Sequence, residues 1–162
     1  MELATGRPGQ AARRDRMIAS ARRLFVEKGY DGTSLDDVIA EVGGSRRNIY
    51  AEFGGKDGLL QAVIHQIIGE IAGAVEARGD DDGLAPRDWL VEVGVDFVTR
   101  MLSPEVVAVF RQFIASGGTD PEAAERLWQA GPDRFRGALT QWLRRQDAAG
   151  ALHVHDPEAV AR

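Results

Sequence analysis

The chain has no cysteine among its 162 residues. Disulfides, zinc–thiolate sites and iron–sulfur clusters are therefore excluded, because each requires cysteine sulfur. No uninterrupted apolar run approaches the roughly 20 residues that a membrane-spanning helix needs. The first residues also lack the hydrophobic segment of a secretory signal. We therefore expect a cytoplasmic protein that does not insert into a membrane.

The motifs of the common enzyme classes are also missing. There is no serine-centred elbow, no His-Glu-x-x-His and no dinucleotide-binding glycine pattern. His65 has no acidic or nucleophilic partner at catalytic spacing, and His153 and His155 lack a defined third ligand for a metal. The three consecutive aspartates at 80–82 lack the spacing of a calcium-binding loop. We expect no enzyme, no cofactor and no metal site.

Negative charge is unevenly distributed along the chain. The net charge is −5, which at first argues against a nucleic-acid partner. Residues 1–56, however, carry ten Lys and Arg against eight Asp and Glu, whereas residues 57–162 carry ten against seventeen. An acidic body with a mildly basic N-terminal part allows only that part to approach a polyanion.

The stretch 34–53 has the pattern of two short helices joined by a glycine turn. Ser34 and Asp37 have the spacing of a capping box, which starts the first helix. Gly43 and Gly44 allow a tight turn with positive φ. Ser45 then caps a second helix that ends near residue 53. This arrangement is a helix-turn-helix.

The second helix divides its residues between two faces. Ile49 and Phe53, four residues apart, share the inward face. The opposite side and its flanks carry Arg46, Arg47, Asn48, Ala51 and Tyr50. Arginine, asparagine and tyrosine near a helix N-terminus are side chains that bind base edges and phosphates. An ordinary solvated helix hairpin is the alternative at this point, and DNA recognition is favoured over it.

The sequence from Met17 to Asp57 resembles the DNA-binding domain of the TetR family of transcriptional regulators, and the resemblance extends over residues 11–71. The matching residues are Ile18, Ala21, Leu24, Phe25, Gly29, Tyr30, Thr33, Ser34, Gly43, Ser45, Ile49, Tyr50, Phe53 and Lys56. Two positions depart from the family pattern. Gly44 replaces a residue that is usually apolar, which should loosen the turn, and Asn48 replaces a small residue or threonine, which alters the bases that could be read.

The resemblance implies an all-α fold, with a three-helix helix-turn-helix head and a helical body that binds ligand and dimerises. We divide the chain into a flexible arm at 1–10, a DNA-binding domain at 11–71 and a regulatory domain at 72–162. Arg7 in the arm, with Arg13 and Arg14, could contact phosphates or a minor groove, or could simply be solvated. The resemblance also implies a pseudo-palindromic operator bound by a homodimer.

Helical periodicity continues through the body. The patterns predict helices over 13–28, 57–77, 86–102 and 104–116, another from about residue 121 that Pro132 kinks or breaks, and a last one from Pro157. Apolar side chains at 86–102, including Leu90, Val98 and Leu102, are assigned to one buried face. The 57–77 helix is the covalent link between head and body, and we expect it to transmit movement between them.

Two groups of site residues are predicted. The DNA-binding residues are Arg46, Arg47, Asn48 and Tyr50, which contact bases or phosphates, and Thr33, Ser34, Ser45 and Lys56, which position the head. A pocket for an unknown small-molecule effector is implied by the resemblance, with candidate residues His65, Trp89, Phe97, Met101, Phe110, Phe113 and Trp128. The alternative is that these large side chains form an ordinary hydrophobic core.

Two questions concern assembly. Relatives in the family usually continue with two further helices that form the dimer interface, whereas this sequence stops at residue 162. Either the sequence is cut short or the protein dimerises through other surfaces. We expect a transcriptional repressor; the alternative is a helical ligand-binding or protein-interaction module that no longer binds DNA.

Overall fold

The computed structural model describes residues 8–78, 83–115, 125, 129 and 131–161. The described residues form helices, with no strand among them. The helices are α1 (Pro8–Gly32), α2 (Leu35–Val42), α3 (Arg46–Phe53), α4 (Lys56–Arg78), α5 (Pro86–Met101), α6 (Pro104–Ala115), α7 (Pro132–Ala148) and α8 (Pro157–Val160). The all-α fold class expected from the sequence is thereby confirmed.

The chain divides into two compact units. The first unit contains Met1–Ile64 together with Ala108–Gly118, and the second contains His65–Val107 together with Thr119–Arg162. The division therefore lies inside α4, seven residues before the boundary placed after residue 71 from the sequence. Residues 108–115 of α6 belong to the first unit although they are distant from it in the sequence, and nothing in their local sequence indicates this.

Each helix of the head begins and ends at local signals. In α1, Gly29 is non-helical with φ 75°, so the first helix ends there, as the sequence predicts, and a short turn follows. The N-terminus differs from the prediction, because α1 begins at Pro8 and residues 8–10 are helical rather than part of an arm. Residues 1–7, with Arg7, lie outside the described part of the chain.

The core of the first unit holds the helix-turn-helix in place. Buried side chains come from α1, α2, α3, the first half of α4 and α6: Met17, Ile18, Ala21, Leu24, Phe25, Val38, Ile49, Leu59, Leu60, Val63, Ile64, Val109 and Phe113. The side-chain amide of Gln112 in α6 donates to the main-chain oxygen of Phe25 at 2.9 Å. The helix α6 is thereby joined to α1.

The second unit has its own core. Val75, Trp89, Val93, Trp142 and Leu143 form a buried cluster, against which half-buried side chains of α7 and the C-terminal segment pack. The rings of Trp89 and Trp142 stack with centroids 4.0 Å apart and planes inclined by 8°. Helix α5 therefore packs against α7 through its tryptophan.

The prediction for the buried face of α5 is only partly correct. Trp89 and Val93 are buried, whereas Leu90, Val98 and Leu102 are exposed. The spacing of apolar residues identified a helix, but it could not show which side of a wide apolar stripe has a packing partner. The helix expected from about residue 121 lies largely outside the described residues. Pro132 is the first residue of α7, so the expected interruption is present there.

By length and composition alone, helix α4 is apolar enough to cross a membrane. Of an apolar stretch of 18 residues within it, however, 56% is buried inside the protein. A buried core helix has the same apolar character, so burial is a sufficient explanation for it.

Candidate nucleic-acid interface

The N-terminus of α2 is fixed by the capping box that the sequence predicts. The main-chain amide of Ser34 donates to the Asp37 carboxylate at 2.8 Å, and the Asp37 amide donates to the Ser34 hydroxyl at 3.2 Å. Lys28 also donates to Asp37 at 2.8 Å. The bonds from Lys28 and Ser34 lower the pKa of Asp37 far below its ordinary value, because they favour the charged carboxylate.

Because the pKa of Asp37 is lowered, we expect the stability of the folded protein to depend on pH. A carboxylate whose pKa is lower in the folded than in the unfolded chain stabilises the fold above the unfolded pKa of about 3.9, and loses this effect as the pH falls toward the folded value. Asp37→Asn should therefore flatten the loss of stability between about pH 5 and pH 3. Urea unfolding at several pH values measures the free energy of unfolding of the variant and the wild type. Asp31→Asn, at an exposed acid near the end of α1, is the control. Identical acid profiles for Asp37→Asn and wild type would contradict the assignment.

Thr33 holds the turn between α1 and α2 from inside. Its side chain is buried, with 2% exposed, and its hydroxyl lies 2.8 Å from the carbonyl oxygen of Gly29 and 3.1 Å from that of Leu24. Thr33 and Ser34 thus maintain the local geometry of the head, and Thr33 does not face solvent.

The glycine turn contains an unexpected contact. Gly44 has φ 117°, and a Cβ atom at this position would collide with the guanidinium of Arg13. Arg13 therefore occupies the space that an apolar side chain at position 44 would take. The sequence predicted that Gly44 loosens the turn; the structure instead fills this space from α1. Arg13 also lines an open groove with Gln10, Met17 and Asn48.

Ser45 positions the start of α3. It has extended backbone angles, and its hydroxyl accepts from the main-chain amide of Asn48 at 3.3 Å. The same hydroxyl lies 3.1 Å from the Asn48 side-chain oxygen. The side-chain oxygen of Asn48 thus already accepts one bond, and its amide nitrogen carries two N–H groups that can donate to an external acceptor.

One side of α3 is buried and the other is exposed. Ile49 is fully buried beneath the helix, and Phe53 is half-buried. Arg47, Asn48 and Tyr50 are exposed, and the Tyr50 side chain has 59% of its surface accessible. Among the residues that the structure describes, Arg47 makes no ion pair or side-chain hydrogen bond. The division between faces that the sequence predicts is therefore present in the structure.

Arg46 differs from Arg47 because it has a partner in α2. Its Nε donates to Oδ1 of Asp36 at 2.8 Å, and its Nη2 donates to Oδ2 of the same carboxylate. These bonds lower the pKa of Asp36 and raise that of Arg46. Nothing in the local pattern singled out Asp36, because the pair joins two helices across the turn.

Lys56 is the first residue of α4 and contacts Tyr30, which follows the non-helical Gly29 near the end of α1. Its ammonium lies 4.1 Å from the centroid of the Tyr30 ring, within the range of a cation–π interaction. The Tyr30 hydroxyl donates to Asp57. Burial, followed by this bond, raises the pKa of Tyr30. Lys56 is half-buried, so it combines a structural contact with a charge near the head surface.

The expected effector-pocket residues are distributed over both units. Trp89 lies in the core of the second unit, and the ring centroids of Phe97 and Phe135 are 4.6 Å apart. His65 and Met101 are half-buried residues of the second unit, whereas Phe110 and Phe113 belong to the first. Trp128 lies outside the described residues. Stacking of Trp89 on Trp142 shows that this residue serves the core.

Comparison with protein families agrees with this geometry. Residues 17–63 match the model of bacterial regulatory proteins of the TetR family, and residues 88–162 match the C-terminal domain of AefR-like transcriptional repressors. The chain belongs to the TetR family of transcriptional regulators. The family and the relatives are DNA-binding regulators rather than enzymes.

Individual relatives cover different parts of the chain. It is 28% identical over 152 residues to the HTH-type transcriptional repressor Rv1474c of Mycobacterium tuberculosis, covering 94% of this chain and 75% of that protein. It is 38% identical over 73 residues to the HTH-type transcriptional repressor ComR of Escherichia coli, covering 45% of this chain. The chain spans only 34% of the length of ComR.

Solved structures share the fold over nearly the whole chain. A TetR-family transcriptional regulator from Mesorhizobium loti superposes with a TM-score of 0.78 at 20% identity, covering 93% of this chain and 76% of that one. Salmonella enterica GusR superposes with a TM-score of 0.68 at 26% identity, covering 99% and 80%. The similarity in fold therefore includes both units.

Proposed function

We propose that this protein is a transcriptional repressor that binds a pseudo-palindromic operator as a homodimer and releases it when a small molecule binds the second unit. The observation that carries the proposal is the exposed N-terminal turn of α3. Arg47 and Asn48 extend from a helix whose start is fixed by Ser45 and whose underside is fixed by Ile49. A recognition helix enters the major groove with such N-terminal residues.

Two copies of the protein are needed to bind the operator, because one head is small and only mildly basic. In helix-turn-helix dimers the two recognition helices lie about 34–36 Å apart, or a multiple of that distance, and address successive major grooves. Effector binding would then act by favouring a dimer whose heads do not match this spacing. Such coupling requires that the effector bind the two states with unequal affinity. Of the pocket residues predicted from the sequence, His65, Phe97 and Met101 lie in the second unit outside its buried cluster and remain candidates for that site.

The decisive experiment is a gel shift with the DNA upstream of the protein's own gene. The purified chain should retard this duplex in the presence of excess unrelated DNA, and sedimentation should show two protein chains per duplex. A monomer that ignores the duplex even at low salt would favour the alternative, a helical module that no longer binds DNA. That alternative is not favoured, because relatives such as Rv1474c are transcriptional repressors.

The roles proposed for Arg47 and Lys56 predict different losses of binding. If Arg47 reads a guanine, Arg47→Ala should weaken operator binding by about 1–3 kcal/mol and relax preference at one base pair. If Lys56 contacts a phosphate, Lys56→Ala should weaken all duplexes similarly and reduce the dependence of affinity on salt. Fluorescence anisotropy at several salt concentrations measures both effects.

Arg87→Ala is the matched control, because it removes one positive charge from an exposed side chain of the second unit. Its base preference should equal that of the wild type. Equal, salt-independent losses for Arg47→Ala and Lys56→Ala would contradict the division of roles between them.

A further inference from the structure

The bond between Asp36 and Arg46 leaves a defined edge of the guanidinium open. An arginine side chain has five N–H donors in one plane. Asp36 accepts from Nε and from one N–H of Nη2, which together form the side edge of the guanidinium. Three N–H groups remain, two on Nη1 and one on Nη2. One N–H of Nη1 and the N–H left on Nη2 form the end of the guanidinium, and the Arg46 side chain has 64% of its surface accessible.

The open edge matches the major-groove edge of guanine. Guanine presents two neighbouring acceptors, O6 and N7, and arginine binds them with two parallel N–H groups. One N–H from each of Nη1 and Nη2 gives this pair without breaking either bond to Asp36. The carboxylate therefore need not compete with the base.

Position on the recognition helix supports the same role. Arg46 is the first residue of α3, directly after the N-cap residue Ser45. Recognition helices contact base edges with their N-terminal residues. A guanidinium already held in one orientation also loses less side-chain freedom on binding than a mobile one.

Charge argues against a phosphate as the main partner of Arg46. The Asp36 side chain also has 59% of its surface accessible. Its carboxylate cancels the charge of Arg46 at short range and would repel a phosphate. What remains is a directional pair of donors with little net charge. Such a pair suits a neutral base edge better than the DNA backbone.

We propose that Asp36 is a positioning residue that holds Arg46 in the orientation needed to bind O6 and N7 of a guanine in the major groove. The proposal rests on the proposed function, because it requires that α3 enter DNA. It assigns to an acidic residue of α2 a role in base specificity.

The test uses the full chain and duplexes selected from a pool of random-sequence DNA. In the selected duplex each guanine is replaced in turn by 7-deazaguanine, which lacks the N7 acceptor. The wild type should lose affinity at the guanine read by Arg46, up to roughly 5- to 150-fold if the whole bidentate contact is lost. Arg46→Ala should lose no further affinity when that guanine is replaced. Replacement of each other guanine should weaken its binding by the same factor as it weakens the binding of the wild type.

Asp36→Ala and the near-isosteric Asp36→Asn should reduce the response at that same guanine and leave the other guanines unchanged. In the Arg46→Ala background, Asp36→Ala should have no further effect on base preference, because Asp36 acts through Arg46. Thermal unfolding of each variant verifies that the head is folded. A general loss of structure would lower affinity for every duplex and would not select one guanine.

Asp31→Ala is the control for net charge, because it also removes one exposed carboxylate from the first unit. It should keep the wild-type response to 7-deazaguanine. If Asp36→Ala and Asp36→Asn retain the full response at every guanine, or only raise affinity for all duplexes alike, the inference is wrong and Asp36 merely masks charge. Failure of the wild type to enrich any duplex from the pool would instead contradict the proposed function.

Discussion

Ile49→Ala is expected to lower the free energy of unfolding of the first unit by about 2–5 kcal/mol, the range for truncation of a large buried aliphatic side chain. Ile49 is fully buried and is the buried residue of α3. Its removal leaves a cavity directly beneath the recognition helix, and the surrounding structure relaxes only partially around such a cavity. Urea unfolding followed by far-ultraviolet circular dichroism measures the loss.

Tyr50→Ala is the matched control for Ile49→Ala, because the two residues are adjacent in α3 and Tyr50 faces solvent. We expect it to change stability by no more than about 0.5 kcal/mol, as is usual for surface substitutions. It should nevertheless weaken DNA binding, since Tyr50 belongs to the proposed interface. If Tyr50→Ala destabilises the protein as much as Ile49→Ala does, the assignment of the two faces of α3 is wrong.

Trp142→Ala should lower the stability of the second unit by about 3–5 kcal/mol, the range for loss of a buried tryptophan. Trp142 has 2% of its surface exposed and stacks on Trp89 within the buried cluster. The stacked pair also contributes about 0.5–1.5 kcal/mol beyond the area it buries. The double variant with Trp89→Ala should therefore lose less than the sum of the single variants.

Intrinsic fluorescence is a suitable probe for the second unit, because both tryptophans that the structure describes, Trp89 and Trp142, belong to it. Gln141→Ala, at the exposed neighbouring position of α7, is the control and should leave the unfolding transition almost unchanged. An unfolding transition of Trp142→Ala that coincides with that of the control would show that the tryptophan pair is dispensable for the core.

Local signals in the sequence were sufficient to place most helix boundaries. The capping box of Ser34 and Asp37, the cap at Ser45 and the prolines at the start of α5, α6, α7 and α8 act within a few residues along the chain. Such signals depend on hydrogen bonds to backbone groups three or four positions away, so they can be recognised without knowing the fold. The two faces of α3 follow in the same way from its helical period.

Family resemblance added what periodicity could not supply. The spacing of apolar residues is consistent with many helical proteins, whereas the matching positions between Ile18 and Lys56 identified a particular helix-turn-helix. The matches to family models over 17–63 and 88–162 confirm that identification. Trp89 stacks in the buried cluster of the second unit, which favours a core role over a pocket role for this one of the proposed pocket residues.

What the sequence by itself determined was the helical class, the capped helix-turn-helix and the outward face of α3, because each follows from contacts within one or two turns of helix. Tertiary structure alone decided three other features: Asp36 binds Arg46, Arg13 occupies the space beside Gly44, and residues 108–115 belong to the first unit. These partners are separated by a turn or by several helices. Their pairing depends on the angles at which helices pack, which the order of residues within any single helix does not specify.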